Sequence, residues 1–223
     1  MPRIDDYNQA LDLGIKTLLE TDPEFIAGLS GSEFHTESQE NQYLSLKFLN
    51  KTIHISWPDM NFTSPDSKTE IPIQQKILML HYLEGTRSGA KVSGEWIGFQ
   101  EIPDGRFYLD AFTKRAKIPL INGFGSRPEQ LRKLAAIAYD AKPFDLGDQS
   151  VLIQAFPRVS LALIIWKGDD EFPPDGNILF DRSISNILSA EDVAWLAGMV
   201  VYPLIGMLKA ETKGEGRVKK EKK

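Results

Sequence analysis

The sequence contains no cysteine, and that single absence removes a block of chemistry. Disulfides, thiolate zinc sites, a cysteine nucleophile and iron–sulfur ligation by this chain are all excluded. Histidine is nearly as scarce. Its three copies, His35, His54 and His81, show no metal-binding spacing such as H-x-x-x-H. The glycines form neither G-x-G-x-x-G nor a P-loop, and there is no G-x-S-x-G elbow and no H-E-x-x-H. The opening "MPRIDDYNQALDLG" lacks the basic start and apolar stretch of a secretory signal, so a cytoplasmic protein is expected. Long apolar runs are missing too. The most apolar segment, Val193 to Leu208, is shorter than the about 20 residues that span a bilayer and contains Pro203. It reads as a buried helix, and no membrane span is expected.

The residues that are present suffice for a core. With 223 residues, 42% of them hydrophobic, the chain can bury a sizeable core within one domain. The net charge is −5, but the last fifteen residues carry seven Lys and Arg against three Glu. Removing that +4 leaves −9 on Met1 to Leu208. An acidic body repels phosphate backbones, so nucleic acid is not an expected partner. The expected organisation is one domain over 1–208 and a disordered charged tail over 209–223.

Spacing then divides the domain into elements. Leu11, Ile15, Leu18 and Leu19 mark one helical face. "TDPEFIAGLSG" starts a second helix, with Asp22 as N-cap, Pro23 at the first position and glycines closing it. Alternation on either side of Asn50 and Lys51 predicts two strands joined by a tight turn. Residues 58–70 read as a polar loop, and Ile73, Ile77 and Leu80 as a helical stripe. "GEWIGFQEIPDGRFYL" reads as a hairpin turning at Pro-Asp-Gly. Helices are expected around 112–121 and 128–139, the second with a Ser126/Glu129 capping box. "SVLIQAF" and "VSLALIIW" are strands separated by Pro157 and Arg158. Ser189 and Asp192 match a helix-capping pattern before the final helix. The fold class is α+β: a single domain, a mostly antiparallel sheet with helices packed on it.

The most distinctive stretch is "GDDEFPPDGNILFD", residues 168–181. Pro173 and Pro174 fix the backbone where an EF-hand loop must wrap, and the acids do not follow that loop's order. Two readings stay open: a solvated turn, or a stiff segment holding Asp169, Glu171 and Asp181 at a pocket rim. Aromatics and arginines cluster near predicted strand ends, among them Trp96, Tyr108 and Trp166 with Arg115 and Arg158. Aromatic faces and guanidinium forks suit a flat organic anion; an ordinary aromatic core with snorkelling arginines is the alternative. His81 shares a helical face with Ile77 and Leu78, as a core residue or a ligand contact. Arg158 is expected to emerge at a strand end beside Pro157; if that end faces the same cavity as the 168–181 loop, it can pair with Asp169, Glu171 or Asp181, or release them to hold an anionic ligand.

The order of "LHYLEGTRSGAKVSGEWIGFQEIPDGRFYLDAFTKR", "GFG", "GDQSVLIQAFPRVSLALIIWKGDDEFPPDGNILFDRSIS" and "LSAEDVAWL" resembles an uncharacterised domain-of-unknown-function family, DUF3786, of anaerobic bacteria and archaea. The likeness runs from about Tyr7 to about Leu204. Some relatives carry an iron–sulfur module similar to those of corrinoid proteins, and this cysteine-free chain departs from them. The resemblance implies anaerobic one-carbon or tetrapyrrole metabolism and supplies no catalytic residues. The leading expectation is an accessory protein binding a large anionic cofactor, a corrinoid or other tetrapyrrole, with His81 as a possible axial contact. The alternatives are a metal-dependent hydrolase or transferase using the 168–181 carboxylates, and a structural partner in a larger complex that meets another protein through Val193 to Leu208 or a sheet edge.

Overall fold

A computed structural model describes residues 4–38 and 40–221, with side chains through 212. The fold is α+β, with two antiparallel sheets. Contacts divide the chain into two compact units whose segments alternate along the sequence. The first takes Met1–Glu95, Ala155–Ser160 and Asp181–Ser189, the second Trp96–Gln154, Leu161–Phe180 and Ala190–Lys223.

In the first unit, α1 (Ile4–Leu19) and α2 (Pro23–Ser30) form where spacing and caps predict them. Asp22 accepts a hydrogen bond from the Phe25 N–H at 2.9 Å, and Gly31, at φ 72°, closes α2 in the left-handed region. The sheet β1 (Glu33–Thr36), β2 (Gln42–Phe48), β3 (Lys51–Trp57) and β4 (Phe62–Thr63) runs in sequence order. Leu49 and Asn50 make the β2–β3 turn, both at positive φ, as a two-residue hairpin demands. Period-two alternation sends Leu44, Leu46, Phe48, Ile53 and Ile55 into the core. The other face carries His35, Tyr43 and His54 in a stack, with ring centroids 4.8 and 4.4 Å apart. α3 (Ile73–Gly85) follows the predicted stripe.

In the second unit the sheet order is β5-β9-β8-β7-β6, where β5 is Trp96–Gly98, β6 Lys142–Pro143, β7 Gln149–Phe156, β8 Val159–Trp166 and β9 Asp175–Asp181. The tip of the β7–β8 hairpin, Ala155–Ser160, belongs to the first unit. β8 is buried from Val159 through Ile165, which is why it reads as an unbroken apolar run. The rings of Trp96 in β5 and Phe144 beside β6 lie 4.9 Å apart, edge to face. The sheet therefore curls until its two outer strands come together.

The structure corrects three expectations. The segment after β5 is not a hairpin: Pro103, Asp104 and Gly105 start α4 (Gly105–Phe112), which continues through a π-helical turn, Thr113–Lys117, into α5 (Ile118–Phe124). Phe99 stacks on Phe112 at 4.1 Å, and Phe180 meets both rings edge-on; that apolar contact favours a reversal into helix. Residues 107, 108 and 112 thus lie on a helix rather than at strand ends. The Ser126/Glu129 box does not form, because α6 (Pro128–Tyr139) has Arg127 at its N-cap, with no side-chain cap. Finally, α7 (Ala190–Glu221) is longer than the apolar run that predicted it. Its Ala190–Thr212 stretch is long and apolar enough to cross a membrane by length and composition, and about half of its most apolar part is buried within the protein. Val193, Leu196, Ala197, Val200, Val201 and Leu204 have no exposed surface, and Tyr139 Oη donates to the Val200 carbonyl at 2.9 Å. The tail expected at 209–223 falls mostly on residues whose side chains lie outside those described.

Candidate functional site

The acids of the 168–181 segment have three different fates. Asp169 accepts hydrogen bonds from the Phe172 and Glu171 N–H groups at 2.7 and 2.9 Å, and its own N–H donates to the Phe172 carbonyl at 2.9 Å. Those backbone donors hold its carboxyl below the usual carboxylate range. Pro174 closes the turn against Gly125 and Gly168, where an added Cβ would lie 2.7 Å from Pro174 Cβ and 2.6 Å from its nitrogen. The locked turn leaves Trp166 and Phe172 exposed, at 38% and 67%.

Asp181 is buried, at 1% exposure. Its carboxylate accepts from Ser93 N and Oγ, both at 3.0 Å, Gly94 N at 2.6 Å and Ser183 N at 2.9 Å. Burial alone would raise its pKa; the Ser183, Ser93 and Gly94 hydrogen bonds outweigh burial and bring it to about 2. Asp181 is a staple between β9 and the 93–94 loop, not a pocket rim. Glu171 is exposed, as is Asp169, whose two accepted hydrogen bonds both fall on Oδ1.

Arg158 does not pair with any of them. Its backbone N–H donates to Tyr82 Oη at 3.1 Å and its Nε to the Leu29 carbonyl at 3.4 Å. Tyr82 Oη in turn donates to the Ser30 carbonyl at 2.5 Å, while its ring stacks on Phe156 at 4.2 Å. Burial raises the Tyr82 phenol well above its ordinary pKa. The half-buried Arg158 thus helps dock a hairpin tip onto the end of α2. His81 is half-buried on α3, and with Arg158 and Asp181 it belongs to the first unit.

The remaining candidates lie in the second unit with separate neighbours. Trp96 packs on Phe144. Tyr108 Oη donates to Glu191 at 3.4 Å, and the Glu191 charge pushes its pKa up. Arg115 is exposed on the π-helical turn. Among the described residues, no three His, Asp or Glu side chains gather closely enough to hold a metal ion.

A concavity that no motif announced lies in the first unit. Ile4, Asn8 and Leu11 of α1, Glu70 and Ile71 of the preceding loop, and Ile73 and Lys76 of α3 line an open cleft of about 460 Å³. The Lys76 side chain is only 19% exposed, and its Nζ meets Glu70 Oε1 at 3.4 Å; the Glu70 side chain is 88% exposed. α3 begins at Pro72 with no side-chain cap and no acid in its first turn. Lys76 therefore adds a full positive charge near the end where the helix dipole is already positive. That misplaced lysine in "IPIQQKILML" is the one sequence signal that could mark the cleft.

A family model described as a domain of unknown function (DUF3786) matches residues 22–202. No curated protein and no solved structure matches the chain.

Proposed function

Because the chain belongs to the DUF3786 family, whose function is open, we propose its role from its own geometry: an accessory, cytoplasmic binding protein that holds a small organic anion in the Lys76 cleft. The observation that carries this reading is a lysine with a largely buried side chain lining a concavity whose other walls are mostly apolar. Ligand sites are typically apolar walls with a few placed polar groups, and Ile4, Leu11, Ile71 and Ile73 with Lys76 and Asn8 have that composition. Removing ligand apolar surface from water supplies affinity, and the single charge supplies orientation.

The cleft lies toward the small end of the roughly 300–1,000 Å³ that ligand pockets enclose. That volume favours a compact acid over a corrinoid or other tetrapyrrole with its peripheral groups. The hydrolase or transferase alternative has less support, since Asp181 spends both oxygens on backbone N–H groups, Asp169 commits Oδ1 to two more, and no three His, Asp or Glu side chains gather among the described residues. Thermal melts of the full chain with aliphatic monocarboxylates, inorganic phosphate and cobalamin test the reading. A ligand at a hundred times its Kd stabilises by about 2.7 kcal/mol, roughly 5–10 °C for a chain of this size. An aliphatic carboxylate is expected to give that shift and Lys76→Met to remove it. No shift with any carboxylate, or an equal shift in Lys76→Met, overturns the reading.

A further inference from the structure

We infer that Glu70 is the cleft's built-in stand-in for its ligand: the ligand is a monocarboxylic acid with a short aliphatic tail, and its carboxylate replaces Glu70 on Lys76. The inference rests on the reading of the Lys76 cleft as a binding site. The two partners of this ion pair are placed unequally. Lys76 is largely buried, whereas Glu70 reaches it from solvent, with the oxygen at 3.4 Å. An exposed carboxylate at that distance gains little net energy, because water solvates it almost as well. Lys76 has more to gain, since its charge lies in the first turn of a helix with no acid and no side-chain cap there. The cleft calls for an anion, and Glu70 supplies one weakly.

The walls set the rest of the ligand. Beyond Lys76 and Glu70, the described lining residues are one amide, Asn8, with Pro72 and the apolar side chains of Ile4, Leu11, Ile71 and Ile73. A hydrocarbon tail can lie against them at no polar cost. Among the described lining residues a second carboxylate would lose hydration without meeting a second cation, so desolvation disfavours diacids. One ammonium matches one carboxylate, and Glu70 competes for it in the empty protein. Glu70 is therefore a specificity-determining residue that weakens binding by occupying the charge.

Calorimetric titration of the full chain with hexanoate, hexanamide and adipate tests this. Glu70→Gln keeps the side chain's size and removes the competing charge. It is expected to tighten hexanoate by roughly threefold to fivefold, the scale of an exposed ion pair, and to leave hexanamide unchanged. Adipate is expected to bind more weakly than hexanoate to both proteins. Lys76→Met is expected to lose hexanoate. Unchanged or weaker hexanoate binding in Glu70→Gln, repeated in Glu70→Ala, overturns the stand-in role while leaving the cleft a binding site. Adipate binding as tightly as hexanoate overturns the ligand class. No hexanoate binding by wild type and by Glu70→Gln overturns both this inference and the binding role of the cleft.

Discussion

At the scale of single residues, Asp181 is where opposing terms are largest and the outcome most measurable. Its carboxyl titrates at about 2 rather than the ordinary 3.8. A depressed carboxylate pKa means the folded state binds its proton less readily than the unfolded state does. The stability it contributes is present above pH about 4 and is lost as pH falls through about 2. The difference is worth about 2 kcal/mol. Asp181→Asn is expected to lose about that much at pH 7 and to flatten the acid limb of the stability curve between pH 4 and 2. Urea melts at pH 7, 4 and 2.5 check it; a variant whose curve simply parallels wild type would mean the carboxylate is not the titrating staple. None of this is legible from "GNILFD". The donors Ser93 and Gly94 lie nearly ninety residues earlier, and no local pattern announces a long-range cap. The partner of Arg158 escapes a local reading for the same reason: its acceptor, the Leu29 carbonyl, is 129 residues away.

At the scale of elements, the legible features are those decided locally. Asp22-Pro23 and Gly31 bracket α2, alternation marks β2 and β3, and the Pro157–Arg158 break separates two apolar strands. The segment from Trp96 to Phe112 cannot be read this way. Pro-Asp-Gly does make a turn, with Asp104 at φ 60°, but the choice of helix over strand beyond that turn is made by Phe99 and Phe112 closing on Phe180. Gly105 is the hinge of that choice. A Cβ there would lie 2.2 Å from the Phe99 carbonyl oxygen, a contact the backbone cannot relieve without moving. Gly105→Ala is expected to cost about 1–3 kcal/mol, seen as a lower denaturation midpoint in guanidinium. An unchanged midpoint would show that the start of α4 has room to spare. The Lys76 cleft is hidden for a related reason, because α1 and the 70–73 loop meet across some sixty residues of chain.

At the scale of the whole molecule, the alternation of the two units along the sequence has thermodynamic content. Residues 1–95 include most of the first unit but not Phe156, which stacks on Phe48 and Tyr82, nor Ala155, whose carbonyl accepts the Leu49 N–H at 3.0 Å. They also lack Ile187, whose carbonyl packs so close to Gly85 that a Cβ there would lie 1.9 Å away. The fragment 1–95 is therefore expected to lack fixed tertiary structure, and the full chain to melt in one calorimetric transition. A dispersed amide spectrum from the fragment, or two resolved transitions in the full chain, would contradict this. The curled sheet of the second unit carries a different consequence. Its outer strands are three and two residues long, one of them includes Pro143, and Trp96 and Phe144 draw them together. An open sheet shows its rim as a row of unused N–H and C=O groups onto which another molecule can add a strand, the first step toward fibrils. Here the outermost strands are short, one is interrupted by proline, and the two are drawn together, so the strongly apolar β8 lies at the centre of the sheet with β7 and β9 between it and any molecule that could extend the ladder.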